Sequence, residues 1–272
     1  MNKKDLIGSE YNMSYMDDFH PYKCINSVWR YQHRRRAKIV NDCLNKEDRE
    51  VEVLLDAGCG KAPYTFLSLK KANQIFSFEY SKVELGKAIE NIRMSSSKED
   101  VDKICFSQVD LQAIPLPDES VDLIVCSEVL EHVPDSKLAM AELYRVLRKN
   151  GTMVFSMPNK YSYYWLIRKL FYDVRLAIKK LRRRGEYIKN YQYDWDLKRH
   201  WCFTYKDINR LARDQNFEVI REDGVHTFPL PIVFFRFVFK LKLLFFVFDS
   251  IDKYLSRKLP KFSAFYFLVL KK

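Results

Sequence analysis

VEVLLDAGCGKAPYT, residues 51–65, decides the reading of this chain: an apolar run ends in Asp56, a turn carries Gly58, Cys59 and Gly60, and a helix is predicted to start just after. Such a run predicts a buried strand that delivers its carboxyl end to a glycine turn, where missing Cβ atoms let a ligand approach the backbone. This is a nucleotide-type binding loop. A dinucleotide fingerprint would place a third glycine at position 63, where Pro63 stands, although Glu79 would meet its demand for an acid about 20 residues further on. Asp56 at the turn would also repel a pyrophosphate, and it would attract a ligand bearing an ammonium and a sulfonium.

S-adenosylmethionine carries both of those cations, and the next stretches fit it. QIFSFEY predicts a strand leading to Glu79, a carboxylate able to accept both hydroxyl hydrogens of a ribose. Ser81 to Glu84 has the spacing of a capping box that opens the following helix. Asp110 ends a predicted third strand, where it is expected to accept from the adenine amino group. VDLIVCSE predicts a fourth strand that empties into Glu128, Glu131 and His132. Strands alternating with helices imply a parallel sheet whose ligands sit at the strands' carboxyl ends.

Taken together, LLDAGCGKA, the acid in SFEYS, VDLQAIPLPDESVDLIVCSEVLEHVPD and ELYRVLRKNGTMVFSMPN resemble the class I S-adenosylmethionine-dependent methyltransferases, within them the group that includes the ubiquinone-pathway O-methyltransferases. The likeness is close over about residues 50–160 and looser over 200–225. Ala62 departs from it, standing where the family often has a third glycine. The resemblance implies a Rossmann-like α/β fold with a seven-stranded sheet and helices on both faces. It also implies that Asp56 and the turn from Gly58 to Gly60 hold the methionine moiety, Glu79 the ribose and Asp110 the adenine. Ala57, Cys59, Tyr80, Leu111 and Ser127 complete the expected cofactor-binding set. Cys59 is expected to pack as a small apolar side chain, since nothing cationic nearby in sequence would activate it.

His132 has two readings. An imidazole titrating near neutrality suits a general base that removes a hydroxyl proton as oxygen attacks the methyl group. In some ubiquinone-pathway O-methyltransferases, which this segment resembles, the pattern matched by Glu128, Glu131 and His132 has been tied to a divalent metal; the bland alternative is a loop cap.

The chain has 272 residues and a formal net charge of +12, which favours an anionic partner: nucleic acid, a phosphorylated metabolite or an acidic membrane surface. Six cysteines without a C-x-x-C pair, and no evident secretion signal, predict a reducing, cytoplasmic setting. Basic residues cluster at Arg34 to Arg36 and again at Arg168, Lys169, Arg175, Lys179, Lys180 and Arg182 to Arg184, amid aromatic side chains. A second apolar stretch, Ile232 to Phe248, is interrupted by Arg236, Lys240 and Lys242 and is predicted to lie at an interface or form a lid rather than span a bilayer. The expected organisation is an N-terminal helical cap over 1–49, the cofactor-binding core over 50–160, a basic aromatic insertion over 161–203 facing substrate or membrane, and the rest of the sheet over 204–272 with a helical insertion at about 229–259. Two final strands are predicted, at NFEVIRED and FSAFYFLVLKK, with a helix start at Thr204 and Asp207. The function expected is O-methylation of a small or lipid-linked acceptor, such as a quinone precursor or glycan intermediate, near the inner membrane surface. RNA methylation and a non-catalytic binding role are the alternatives.

Overall fold

The computed structural model describes residues 27–45, 51–163, 203–227 and 242–272. The basic run from Arg168 to Arg184, most of the expected insertion around it, and residues Ile232 to Leu241 of the apolar stretch lie outside them. In chain order the elements are helix α1 (Ser27–Leu44), strand β1 (Val51–Ala57), α2 (Pro63–Ser68), β2 (Ala72–Glu79), α3 (Lys82–Ser95), α4 (Lys98–Asp102), β3 (Ile104–Gln108), β4 (Val121–Ser127), α5 (Ser136–Val146), β5 (Leu147–Pro158), α6 (Tyr205–Arg213), β6 (Glu218–Val225), α7 (Lys242–Lys258), a 3-10 turn (Pro260–Phe262) and β7 (Phe265–Lys271).

The strands form one seven-stranded sheet in the order β3-β2-β1-β4-β5-β7-β6. All pairings are parallel except the two made by β7, which runs antiparallel between β5 and β6. The sheet expected from the sequence is therefore present, and it is mixed. The chain winds outward from β1 to β3 and then crosses back to β4 on the other side of β1. That reversal opens a crevice at the carboxyl ends of β1 and β4, the usual ligand position in such sheets.

Two apolar layers cover the sheet. Ala139, Met140 and Leu143 of α5 and Ile208 and Leu211 of α6 pack on one face, against Leu55, Ile124 and Phe155. On the other, Tyr31, Val40 and Leu44 of α1 meet Leu54, Leu123, Val154 and Phe267. The central strands are buried on both sides and so read as continuous apolar runs. Local signals set several element ends: Thr204 and Asp207 form a reciprocal capping box at α6, with the Asp207 carboxyl held below its usual range chiefly by the Thr204 side chain. At α3 only half of the expected box forms. Ser81 accepts from Glu84 N–H, while its own N–H turns to Glu79 instead.

Candidate active site

The loop after β1 is fixed to the end of β2. Phe78 O accepts from Gly58 N–H at 2.8 Å and from Cys59 N–H at 2.9 Å. Gly58 and Gly60 both have positive φ, but they do different things. A Cβ on Gly58 would stand 2.5 Å from the Val129 side chain, so this glycine admits the loop after β4 rather than a ligand. Around Gly60 nothing lies within 4 Å of the added Cβ position, and this is the glycine that leaves backbone open to a ligand. Ala62, where the resemblance leads one to look for glycine, is buried and left-handed at φ 65°.

Asp56 is 1% exposed. Its Oδ2 accepts from Thr65 N–H at 2.8 Å and from the Thr65 hydroxyl at 2.6 Å, so the carboxylate ties β1 to α2. Burial pushes its pKa up to about 7, against the pull of the Thr65 bonds. Cys59 is likewise buried, and desolvation raises its thiol well above the ordinary value, an inert setting for sulfur. Glu79 faces the crevice: Oε2 accepts from Gly60 N–H and Oε1 from Ser81 N–H, each at 2.9 Å. The carboxylate thus joins the loops after β1 and β2, and each oxygen keeps acceptor capacity for a further donor. Tyr80 beside it is 71% exposed, Asp110 is exposed and accepts from Gln112, and Leu111 is buried.

A second polar cluster lies at the ends of β4 and β5. Ser127 Oγ stands 3.2 Å from the Tyr64 hydroxyl and 2.8 Å from Ser156 Oγ, and the Ser156 hydroxyl donates to Glu128 Oε1 at 3.1 Å. Glu128 has φ 60°, an uncommon conformation for a residue with a side chain, and its N–H is held by Ser156 O at 3.0 Å. Its Oε2 lies 3.5 Å from Arg36 Nη1. Desolvation raises Glu128 to about 7 although Arg36 and Ser156 both pull it down. The Glu131 carboxyl is buried and its pKa is likewise raised, by desolvation first and by Glu128 second. His132 turns outward, its side chain 45% exposed and its Nε2 3.9 Å from Glu131 Oε1. Among the described residues no three His, Cys, Asp or Glu side chains are grouped to hold a metal ion. The sequence spacing of Glu128, Glu131 and His132 does not gather them into a ligand set: Glu128 is turned to Arg36 and Ser156, and His132 to solvent.

Arg36 was visible in the sequence only as part of a basic run. In the structure Arg35 and Arg36 are buried, and the Arg36 guanidinium also lies over the Phe265 ring, 4.6 Å from its centre. One turn earlier on α1, Gln32 Nε2 is 2.6 Å from His226 Nδ1, and the Tyr31 hydroxyl donates to Asp252 at 2.7 Å. Helix α1 therefore runs beside the ends of β4, β7 and β6.

A family of methyltransferase domains matches residues 55–155, the span that holds the glycine loop, Glu79, Asp110 and the ends of β4 and β5. Those residues are similar to methyltransferase domains. The chain is 32% identical over 110 residues to a "probable S-adenosylmethionine-dependent methyltransferase" of Mycobacterium tuberculosis, a match covering 40% of this chain and 37% of that protein. The chain thus spans under two fifths of the length of that curated relative. Among solved structures, an S-adenosylmethionine-dependent methyltransferase from Mesorhizobium loti shares this chain's fold with a TM-score of 0.53 at 14% identity, covering 87% of this chain and 98% of that one. The [4+2]-cyclase SpnF shares it with a TM-score of 0.55 at 18% identity, covering 88% and 82%.

Proposed function

We propose that the protein transfers a methyl group from S-adenosylmethionine to a hydroxyl oxygen of a small or lipid-linked acceptor. The observation that carries this reading is Glu79, whose carboxylate joins Gly60 N–H and Ser81 N–H beside the open backbone of the glycine turn. That arrangement fits the cofactor: Glu79 would accept from the ribose, Asp110 from the adenine amino group, and the turn from Asp56 to Gly60 would receive the methionine moiety, with Ala57, Tyr80, Leu111 and Ser127 around them. Cys59 and Asp56 would contribute from behind, as packing and as the tie to Thr65. When bound, the cofactor supplies an electrophilic methyl group on a cationic sulfur.

The rest is positioning. Holding an acceptor hydroxyl in line above the ends of β4 and β5 would supply much of the rate enhancement. As the new carbon–oxygen bond forms and the sulfur–carbon bond breaks, the hydroxyl proton must leave. His132 is the group proposed to take it, on a ring nitrogen. The shared fold alone does not carry this conclusion, because the [4+2]-cyclase SpnF has it too and one fold serves several chemistries. It rests on the site.

The test is transfer of methyl label from S-adenosylmethionine into a lysate separated into lipid-soluble, RNA and small aqueous fractions. Label in the lipid or small-molecule fraction supports the reading. Label confined to RNA would replace it with RNA methylation, and no label anywhere would point to a binding role. Once the acceptor is identified, His132→Ala is expected to lower turnover about 100-fold, the low end for loss of a general base, with cofactor affinity retained. Unchanged turnover would remove His132 as the base.

A further inference from the structure

Helix α7 is built the wrong way round for a helix that closes a core. Its buried face carries Phe248, Asp252 and Ser256, spaced one turn apart. Asp252 accepts from the Tyr31 hydroxyl at 2.7 Å, Thr227 N–H at 2.7 Å and His226 N–H at 3.2 Å, and Ser256 Oγ lies 3.0 Å from Thr227 Oγ1. The outward face carries Phe246, Val247, Ile251 and Tyr254, exposed by 68, 46, 39 and 62%. Leu259 and Phe262, in the turn that follows, are exposed as well. Of the twelve large apolar side chains that stand exposed among the described residues, six fall between positions 246 and 262. An ordinary amphipathic helix would turn this set inward.

The charges beside the stripe have one sign. Arg257, Lys258 and Lys261 are exposed at its carboxyl end. Of the two acids on the helix, Asp249 is paired with Lys253 and Asp252 is buried in the bonds above. A contiguous apolar patch bordered by cations marks an interaction site, and its chemistry suits acyl chains below anionic headgroups. A second copy of the chain fits less well, since this face offers it no free acid to meet those cations: Asp249 is paired with Lys253 and Asp252 is buried. No helix among the described residues is long and apolar enough to cross a membrane, so the contact would lie along the surface.

We propose that the outer face of α7 and the turn after it dock the protein on an anionic lipid surface. Asp252 holds the helix to α1 and to the end of β6, so the apolar face is presented without any unfolding. The docking surface stands independently of methyl transfer. Only one corollary rests on the proposed function, that a lipid-linked acceptor would reach the ends of β4 and β5 from the bilayer beside them.

The experiment is sedimentation of the full chain with vesicles of phosphatidylcholine alone and of phosphatidylcholine mixed with phosphatidylglycerol, with neither cofactor nor acceptor present. The wild type is expected to bind the anionic vesicles at least tenfold more tightly, and less so as salt is raised. A Phe246→Ser, Ile251→Ser, Tyr254→Ser triple variant should lose at least tenfold in affinity, and Arg257→Glu, Lys258→Glu, Lys261→Glu should abolish the preference for phosphatidylglycerol. Unaltered melting temperatures would show that both variants fold. Failure of the wild type to bind, or binding that neither variant weakens, would overturn the proposal. So would a dimer in solution that the serine variant converts to monomer without vesicle binding, which would make a second copy the occupant. Because the assay involves no methyl group, its failure is separable from failure of the proposed reaction.

Discussion

The two halves of the sheet's carboxyl edge are assembled in different ways. At the ends of β1 to β3, the glycine turn, Glu79 and Asp110 come from one stretch of chain, and the bond between Gly60 and Glu79 spans only 19 positions. At the ends of β4 to β6, Glu128 meets Arg36 from α1, and Tyr31 meets Asp252 across 221 positions. A site built from neighbours in sequence announces itself as a motif. One built by distant elements shows only ordinary residues until the chain is folded, and its bonds must offset the entropy of closing long loops.

The comparison breaks first, and hardest, at Asp252. Replacing it by Ala leaves the Tyr31 hydroxyl and the N–H groups of His226 and Thr227 without their acceptor, and buried donors stranded in this way cost about 1–3 kcal/mol each. Urea denaturation of Asp252→Ala should therefore show a loss of about 3–5 kcal/mol, with S-adenosylmethionine affinity little changed. A large fall in cofactor affinity would mean that the two halves are coupled.

The cofactor half has its own signature in pH. Asp56 titrates near 7 in the folded chain and near the ordinary aspartate value of 3.8 when unfolded, so the folded state holds the proton more tightly. Its contribution to stability is full below about pH 4, falls as pH rises through 7, and is flat beyond. Asp56→Asn keeps an acceptor for Thr65 and removes that titration. The stability of the variant relative to wild type should climb between pH 4 and 7 by about 2–4 kcal/mol. Taking the difference at each pH leaves Glu128 and His226, which shift in opposite directions, largely out of the result. A difference that stays constant across the window would show that the Asp56 carboxyl is not desolvated as described.

How much of this was legible follows the same division. The strand, turn and acid of the cofactor half were readable, as were β6, β7 and the α6 cap, because each depends on residues close together in sequence. Two readings within that half needed the fold. Asp56 is turned inward to Thr65, and Gly58 makes room for Val129, which comes from 71 positions further on. In the other half, the helical insertion expected at about 229–259 includes the described helix Lys242–Lys258, and residues 228–241 lie outside the described residues. Hydrophobic periodicity does not find the packed face of that helix, for a physical reason: α7 buries Asp252 and Ser256 beside Phe248 and exposes Phe246, Ile251 and Tyr254, so most of the apolar pattern points away from the face that packs. Nothing local paired Arg36 with Glu128 or Gln32 with His226.

Smallest in effect is Ala62, which holds a left-handed conformation at φ 65° where a side chain costs about 1–2 kcal/mol. Ala62→Gly relieves that strain but gives the unfolded chain more freedom, so a thermal melt should show a net gain of at most about 1 kcal/mol. A loss of stability would mean that the buried methyl group contributes more packing than the turn loses to strain.

The most direct test of the account is a calorimetric titration of the wild-type chain and Glu79→Ala with S-adenosylmethionine. Saturable one-to-one binding by the wild type, weakened in the variant by roughly 10- to 100-fold as expected for lost hydrogen bonds to a charged group, is the predicted result. Equal affinity in the two proteins, or no binding by the wild type, would contradict the placement of the cofactor at Glu79 and with it the proposed reaction.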